Sequence, residues 1–152
     1  MTITRHVRLT PEQAYAIAAD VGAYEDYLPL VEKSAIISNA VRDGLIQSFK
    51  ADLTVGYKKL GAHESFESDV VCDSEKRTVT ATSSDGPIKA LKAVWKVGEA
   101  SSGGVDVSFT VDYALRSMML QIMARGVIDF AASKIMQAFE ERGRLLYGLV
   151  VS

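Results

Sequence analysis

The sequence predicts an α+β fold: a curved antiparallel sheet of about seven strands wrapped around a long C-terminal helix, with two short helices after the first strand. Three observations carry this expectation. Between Lys33 and Leu115, runs of strand length alternate apolar and polar residues and are separated by turn residues. From Ser117 to about Val150 there is no proline, and helix formers dominate. A sheet with one wet face must bury its dry one. At roughly 1.5 Å per residue the last segment would be ~50 Å long, the only element able to cover it.

Ile3, Arg5, Val7 and Leu9 alternate with Thr2, Thr4, His6 and Arg8, which reads as a first strand. Thr10 is placed to cap a helix, with Pro11 at its first position and Gln13 completing a capping box. That helix turns Ala14, Ile17, Ala18 and Val21 to one side. A second short helical turn groups Tyr24, Tyr27 and Leu28, and Pro29 limits it. Three strands follow with clean alternation. Leu45, Phe49, Ala51, Leu53, Val55 and Tyr57 share one face; Leu91, Ala93, Trp95 and Val97 another; Val105, Val107, Phe109, Val111 and Tyr113 a third. The runs at 35–37, 64–71 and 78–83 alternate less well and are read as further strands. Met119, Ile122, Met123, Gly126, Val127, Phe130, Ala131, Ile135, Ala138 and Phe139 form the wide apolar stripe of the last helix. No linker or repeat divides the chain, so residues 1–152 are expected to form one domain.

With 17 Lys plus Arg against 19 Asp plus Glu, the net charge of −2 argues against a DNA partner bound through bulk basic charge. Lone Cys72 excludes an internal disulfide, and with only His6 and His63 beside it no metal site is expected. The N-terminus lacks the apolar core of a secretory signal, and no run reaches the ~20 apolar residues of a membrane span. A cytoplasmic location is expected, with peripheral contact at the inner membrane compatible with it. There is no GxSxG elbow, P-loop, HExxH or dinucleotide fingerprint, so no catalytic residue is assigned and the protein is not expected to be an enzyme. His63 beside Glu64 lacks a nucleophile or third partner. Lys58, Lys59, Lys89, Lys92 and Lys96 could form a basic surface for phosphate groups or RNA, although each alone fits a solvated strand face.

Three strings resemble one family. Asp20 to Leu30, DVGAYEDYLPL, is similar to Asp-Val-x-x-Tyr-x-x-Phe-Leu-Pro; Ala51 to Val70 continues the likeness; Asp85 to Val97, DGPIKALKAVWKV, is similar to Gly-Pro-Phe-x-x-Leu-x-x-x-Trp. These resemble the coenzyme Q-binding proteins of the START-like, helix-grip superfamily, the polyketide cyclase/dehydrase group, whose relatives include ribosome-association toxins. Tyr27 and Ile88 stand where that pattern has Phe. The resemblance implies that a polyprenyl quinone such as ubiquinone, or a similar lipid, is held between sheet and helix. It would be cargo in a carrier supporting respiration and quinone biosynthesis, with no catalytic cofactor. The expected cavity residues are Phe49, Leu53, Val55, Leu91, Trp95, Phe109, Val111, Met119, Met123 and Phe130, with Tyr24, Leu28, Pro29 and Pro87 at the mouth. Each of these also fits an ordinary core or turn. Two other readings stand beside the first: a ribosome contact that impedes subunit association, and a cyclase or aromatase.

Overall fold

A computed structural model describes residues 1–57 and 61–148. Lys58 and Lys59 lie outside the described residues. In chain order the elements begin with β1 (Thr2–Val7), α1 (Pro11–Ala19) and a 3₁₀ helix (Val21–Asp26). The strands β2 (Val31–Ile36), β3 (Val41–Asp43), β4 (Ile46–Tyr57), β5 (Ala62–Asp73), β6 (Thr78–Ser83), β7 (Ile88–Ser101) and β8 (Gly104–Leu115) follow, and then α2 (Met118–Tyr147).

The strands form one antiparallel sheet in the order β1-β8-β7-β6-β5-β4-β2, with β3 also paired to β4. β4 to β8 are a meander, and β1 returns to pair with β8 on the far side. The sheet curls around α2, as the half-wet alternation requires. Lys92 and Lys96 are exposed while Trp95 and Val97 are buried, so the expected register of β7 holds. Two boundaries differ from expectation. β2 begins at Val31, directly after the Pro29 turn, and β3 replaces what reads in sequence as mere punctuation before Asp43-Gly44. Leu45 lies in that turn and is exposed rather than sharing the inner face of β4.

Thr10 caps α1 as its chemistry demands: its hydroxyl accepts from the Gln13 amide at 3.1 Å, and the Thr10 amide donates to Gln13 Oε1 at 3.0 Å. Ser117 caps α2 through Leu120 N, and Gly148, at φ 77° in the left-handed region, ends it. Thirty residues give α2 a length of ~45 Å.

The helix is not anchored evenly. In its C-terminal half, Met136 and Phe139 are fully buried. Phe139 stacks on Trp95 at 5.0 Å between ring centroids, and Trp95 packs on Phe109 at 4.5 Å. Arg5, on the inner face of β1, donates to Glu140 at 3.1 Å, and Gly143 lets Leu9 approach so closely that a β-carbon there would stand 2.8 Å from Leu9 Cδ1. This closed end, with Val7, Ile17, Val97, Val105 and Val107, is the core. The N-terminal half of α2 is held to β8 by Gln121 Oε1, which accepts from Leu115 N at 2.7 Å, but it carries no buried aromatic like Phe139, and an open space lies beneath it.

Candidate functional site: an apolar cavity under the C-terminal helix

The space exists because of a step in side-chain size across the sheet. Register places Ala81, Ala93 and Val111 side by side on β6, β7 and β8. One row toward the closed end stand Val79, Trp95 and Phe109; one row toward the open end stand Ser83, Leu91 and Tyr113. On β7 and β8 the middle row, Ala93 and Val111, stands between bulkier Trp95 and Phe109 on one side and Leu91 and Tyr113 on the other, which leaves a trough along the concave face. α2 roofs it with Leu120, Met123, Ala124, Val127 and Ile128, which recur at helical spacing on one side. The result is a cavity of about 320 Å³, at the lower end of the ~300–1,000 Å³ typical of small-molecule sites.

Leu53, Val55, Leu91, Trp95, Phe109, Val111 and Met123 all line this cavity, together with Tyr24, Leu28, Pro29 and Pro87. Three expected residues do not. Phe49 packs against the core four residues before Leu53, a separation of ~13 Å along a strand, which carries it past the end of the trough. Met119 is 73% exposed, because it sits one residue, and so ~100° of rotation, before Leu120. Phe130 is also mostly exposed; it borders an adjoining recess with Pro29, Leu30, Val31, Gly56 and Tyr57, all of which also line the cavity. Residues that the sequence reading missed include Phe66, Val70, Val79, Ala81 and Ala93 on the sheet, and Leu120, Ala124 and Ile128 on the helix.

The mouth is built by the turn after the 3₁₀ helix. Pro29 stiffens it, and Leu30 takes φ 72°, a left-handed conformation that costs a non-glycine residue ~1–2 kcal/mol. The Leu30 carbonyl accepts from Gly56 N at 2.9 Å, tying the turn to β4. A bulge between Val31 and Lys33 frees Glu32 from regular pairing. Its carboxylate lies 2.9 Å from Nδ1 of His63, so His63 pairs across β4 rather than with its neighbour Glu64. His6 lies on the outer face of β1 and pairs with Asp106 at 2.8 Å.

Inside, polar groups are few. Ser68 Oγ is buried on the cavity wall with no hydrogen-bond partner. Tyr24 donates its hydroxyl to the Ala18 carbonyl, and burial raises its pKa well above the ordinary value. Burial also pushes the Cys72 thiol up from 9.0 to about 11. Cys72 is buried and unpaired on the inner face of β5. Because its folded pKa is raised, the thiol supports the fold fully below its unfolded pKa, and that support is lost as pH rises through about 11. Iodoacetamide is therefore expected to leave Cys72 unmodified at neutral pH in the folded protein and to label it in urea. Between pH 9 and about 11, the Cys72→Ala variant should lose stability less steeply than the wild type. Rapid labelling of the folded protein at pH 7 would contradict the burial. No group of three or more His, Cys, Asp or Glu able to hold a metal occurs among the described residues. No helix among them is long and apolar enough to cross a membrane.

With this geometry in hand, the likeness to known proteins has a physical basis. The chain is 34% identical over 140 residues to the mitochondrial coenzyme Q-binding protein of Schizosaccharomyces pombe, covering 91% of this chain and 83% of that one. It is 22% identical to the ribosome association toxin of Rickettsia prowazekii, covering 93% of each. Among solved structures, an 18 kDa protein of Caulobacter crescentus superimposes with a TM-score of 0.81 at 27% identity over 98% of both chains. An aromatase/cyclase of a Streptomyces species superimposes at 0.80 with 16% identity over 98% of both, a likeness of fold alone. Residues 7–140, from the end of β1 to the anchored half of α2, match the family described as polyketide cyclase/dehydrase and lipid transport, and the chain belongs to that family.

Proposed function

We propose that the protein holds a polyprenyl quinone, or a lipid of similar chemistry, between the sheet and the N-terminal half of α2. The quinone is cargo and the protein its non-catalytic carrier. The observation that carries this reading is the cavity, apolar apart from the buried hydroxyls of Ser68 and Tyr24 and a polar rim. The similarity to a coenzyme Q-binding protein supplies the ligand class. At ~0.8 kcal/mol per buried methylene, each five-carbon isoprene unit contributes up to ~4 kcal/mol. Two or three units reach the ~8 kcal/mol of micromolar affinity before ordering costs are deducted. The cavity therefore need not enclose a long tail.

The deciding experiment is lipid extraction from protein purified out of a quinone-producing host, followed by mass spectrometry. A polyprenyl quinone at near-stoichiometric amount is the expected result. Its absence from a folded preparation would overturn the reading. A ribosome contact has one observation in its favour besides the toxin relative: Lys92 and Lys96 are exposed on the convex face of β7, away from the cavity. Such binding would weaken steeply as salt rises. For a cyclase the wall offers little acid–base chemistry. Tyr24 is held protonated, and the His63 and Glu64 groups stand at the rim, His63 already paired with Glu32.

A further inference from the structure

The outer side of α2 is apolar as well. Met118, Met119, Ile122 and Phe130 are 80, 73, 69 and 55% exposed. At ~100° per residue they fall in one sector of ~120°, and they span ~18 Å of helix. The opposite side of these same turns lines the cavity, so the helix is a wall between that cavity and whatever lies outside. From Arg116 to Lys134 the exposed charges are Arg116, Arg125 and Lys134 against Asp129 alone, a local excess of two positive charges in a chain of net charge −2. Arg125 flanks this sector on one side and Lys134 on the other, with the Lys134 ammonium 4.3 Å above the Phe130 ring; the exposed Asp129 falls inside the sector, one turn after Arg125. The strip ends at Phe130, which borders the recess adjoining the cavity mouth.

We infer that this strip docks on a lipid bilayer carrying anionic headgroups, with the cavity mouth brought against the acyl region. An apolar sector with cations on both flanks is the pattern of a helix lying in a membrane interface, where long basic side chains reach back to the headgroups. Charge complementarity selects an anionic surface. A second copy of the chain fits less well. The four side chains are 55–80% exposed, so at on the order of 200 Å² for a full side chain they offer about 550 Å² together, short of the ~800 Å² that each partner gives to a stable interface. Docking in this orientation lets a hydrophobic ligand pass between bilayer and cavity without crossing water.

The test is flotation with quinone-free vesicles of phosphatidylcholine, with and without phosphatidylglycerol, so it stands apart from the ligand question. The wild-type protein is expected to float with the anionic vesicles, less with the neutral ones, and less in high salt. The variant Met119→Ser with Ile122→Ser should partition about tenfold more weakly or worse, with an unchanged unfolding midpoint because both positions are exposed. If the pair unfolds, Ile122→Ser alone takes its place. Arg125→Glu should abolish the preference for phosphatidylglycerol. Wild-type protein that floats with neither vesicle overturns the inference, as does a folded serine variant that floats like the wild type. A dimer in sedimentation that the serine variant dissociates would make the occupant a second copy and would also overturn it.

Discussion

Truncation of Phe139 to alanine is expected to cost ~3–5 kcal/mol of unfolding free energy, the range for a fully buried aromatic. Phe139 has no solvent exposure and stacks on Trp95, which in turn packs on Phe109, so its ring is the link through which α2 grips β7 and β8. Its loss leaves a void in the close-packed closed end of the core. Against the ~5–15 kcal/mol that holds a typical domain together, this is enough to unfold much of the population at elevated temperature. Val127→Ala, three turns earlier, is the control. Val127 already faces open space, so truncation enlarges an existing void and should cost only ~1 kcal/mol or less. Urea unfolding of the two variants reads the contrast directly. Equal losses would mean that α2 is anchored evenly along its length and that no soft roof exists.

This unevenness also explains what could be read from the sequence and what could not. Strand alternation fixed the inner faces because a period of two leaves only two choices, and Lys92 and Lys96 opposite Trp95 and Val97 decide between them. The helix offered no such decision. Over its first four turns Met118, Met119, Ile122 and Phe130 on one side are as apolar as Leu120, Met123, Val127 and Ile128 on the other. Periodicity identifies a helical face by contrast with a polar one, and here the contrast is missing. The expected stripe is therefore drawn too wide: Met123 and Val127 line the cavity, whereas Met119, Ile122 and Phe130 face away from it. Beyond Ala131 polar residues return to the outer side, and the expected inward residues Ile135 and Phe139 do pack into the core. Tyr24, Leu28, Pro29 and Pro87 were legible as lining residues through the resembled strings, but Tyr24 is buried in the core rather than at the mouth expected for it. Ala81 and Ala93 were not legible as cavity residues. An inward alanine in a strand reads identically whether a neighbour fills the space above it or nothing does, and only the register with Val111, Trp95 and Phe109 distinguishes the two.

Ala93→Phe is expected to empty the protein of quinone while leaving it folded. Ala93 sits in the middle of the row of small residues, between Ala81 and Val111, beneath the helical roof. A phenyl ring there adds six carbons to space that is open in the cavity. In a close-packed core such an addition costs ~1–3 kcal/mol. In a genuine void it adds contacts instead, so the unfolding midpoint should stay level or rise. The sign of the stability change thus reports whether the trough is empty in the free protein, and the lipid content reports whether the trough is where the ligand sits. Retention should fall by at least ~tenfold, since displacing even two methylenes of the tail removes ~1.6 kcal/mol. A charge at Leu91 discriminates less well, because Leu91 is only half-buried and a lysine there can extend its ammonium to the mouth. If Ala93→Phe is destabilised and still copurifies with its lipid, the ring has been forced into packed structure and the ligand lies elsewhere. If it is stable and lipid-free, the small-residue row of β6, β7 and β8 is the floor of the binding site, and the size step across the sheet is what the family's fold uses to make room for a ligand in this chain.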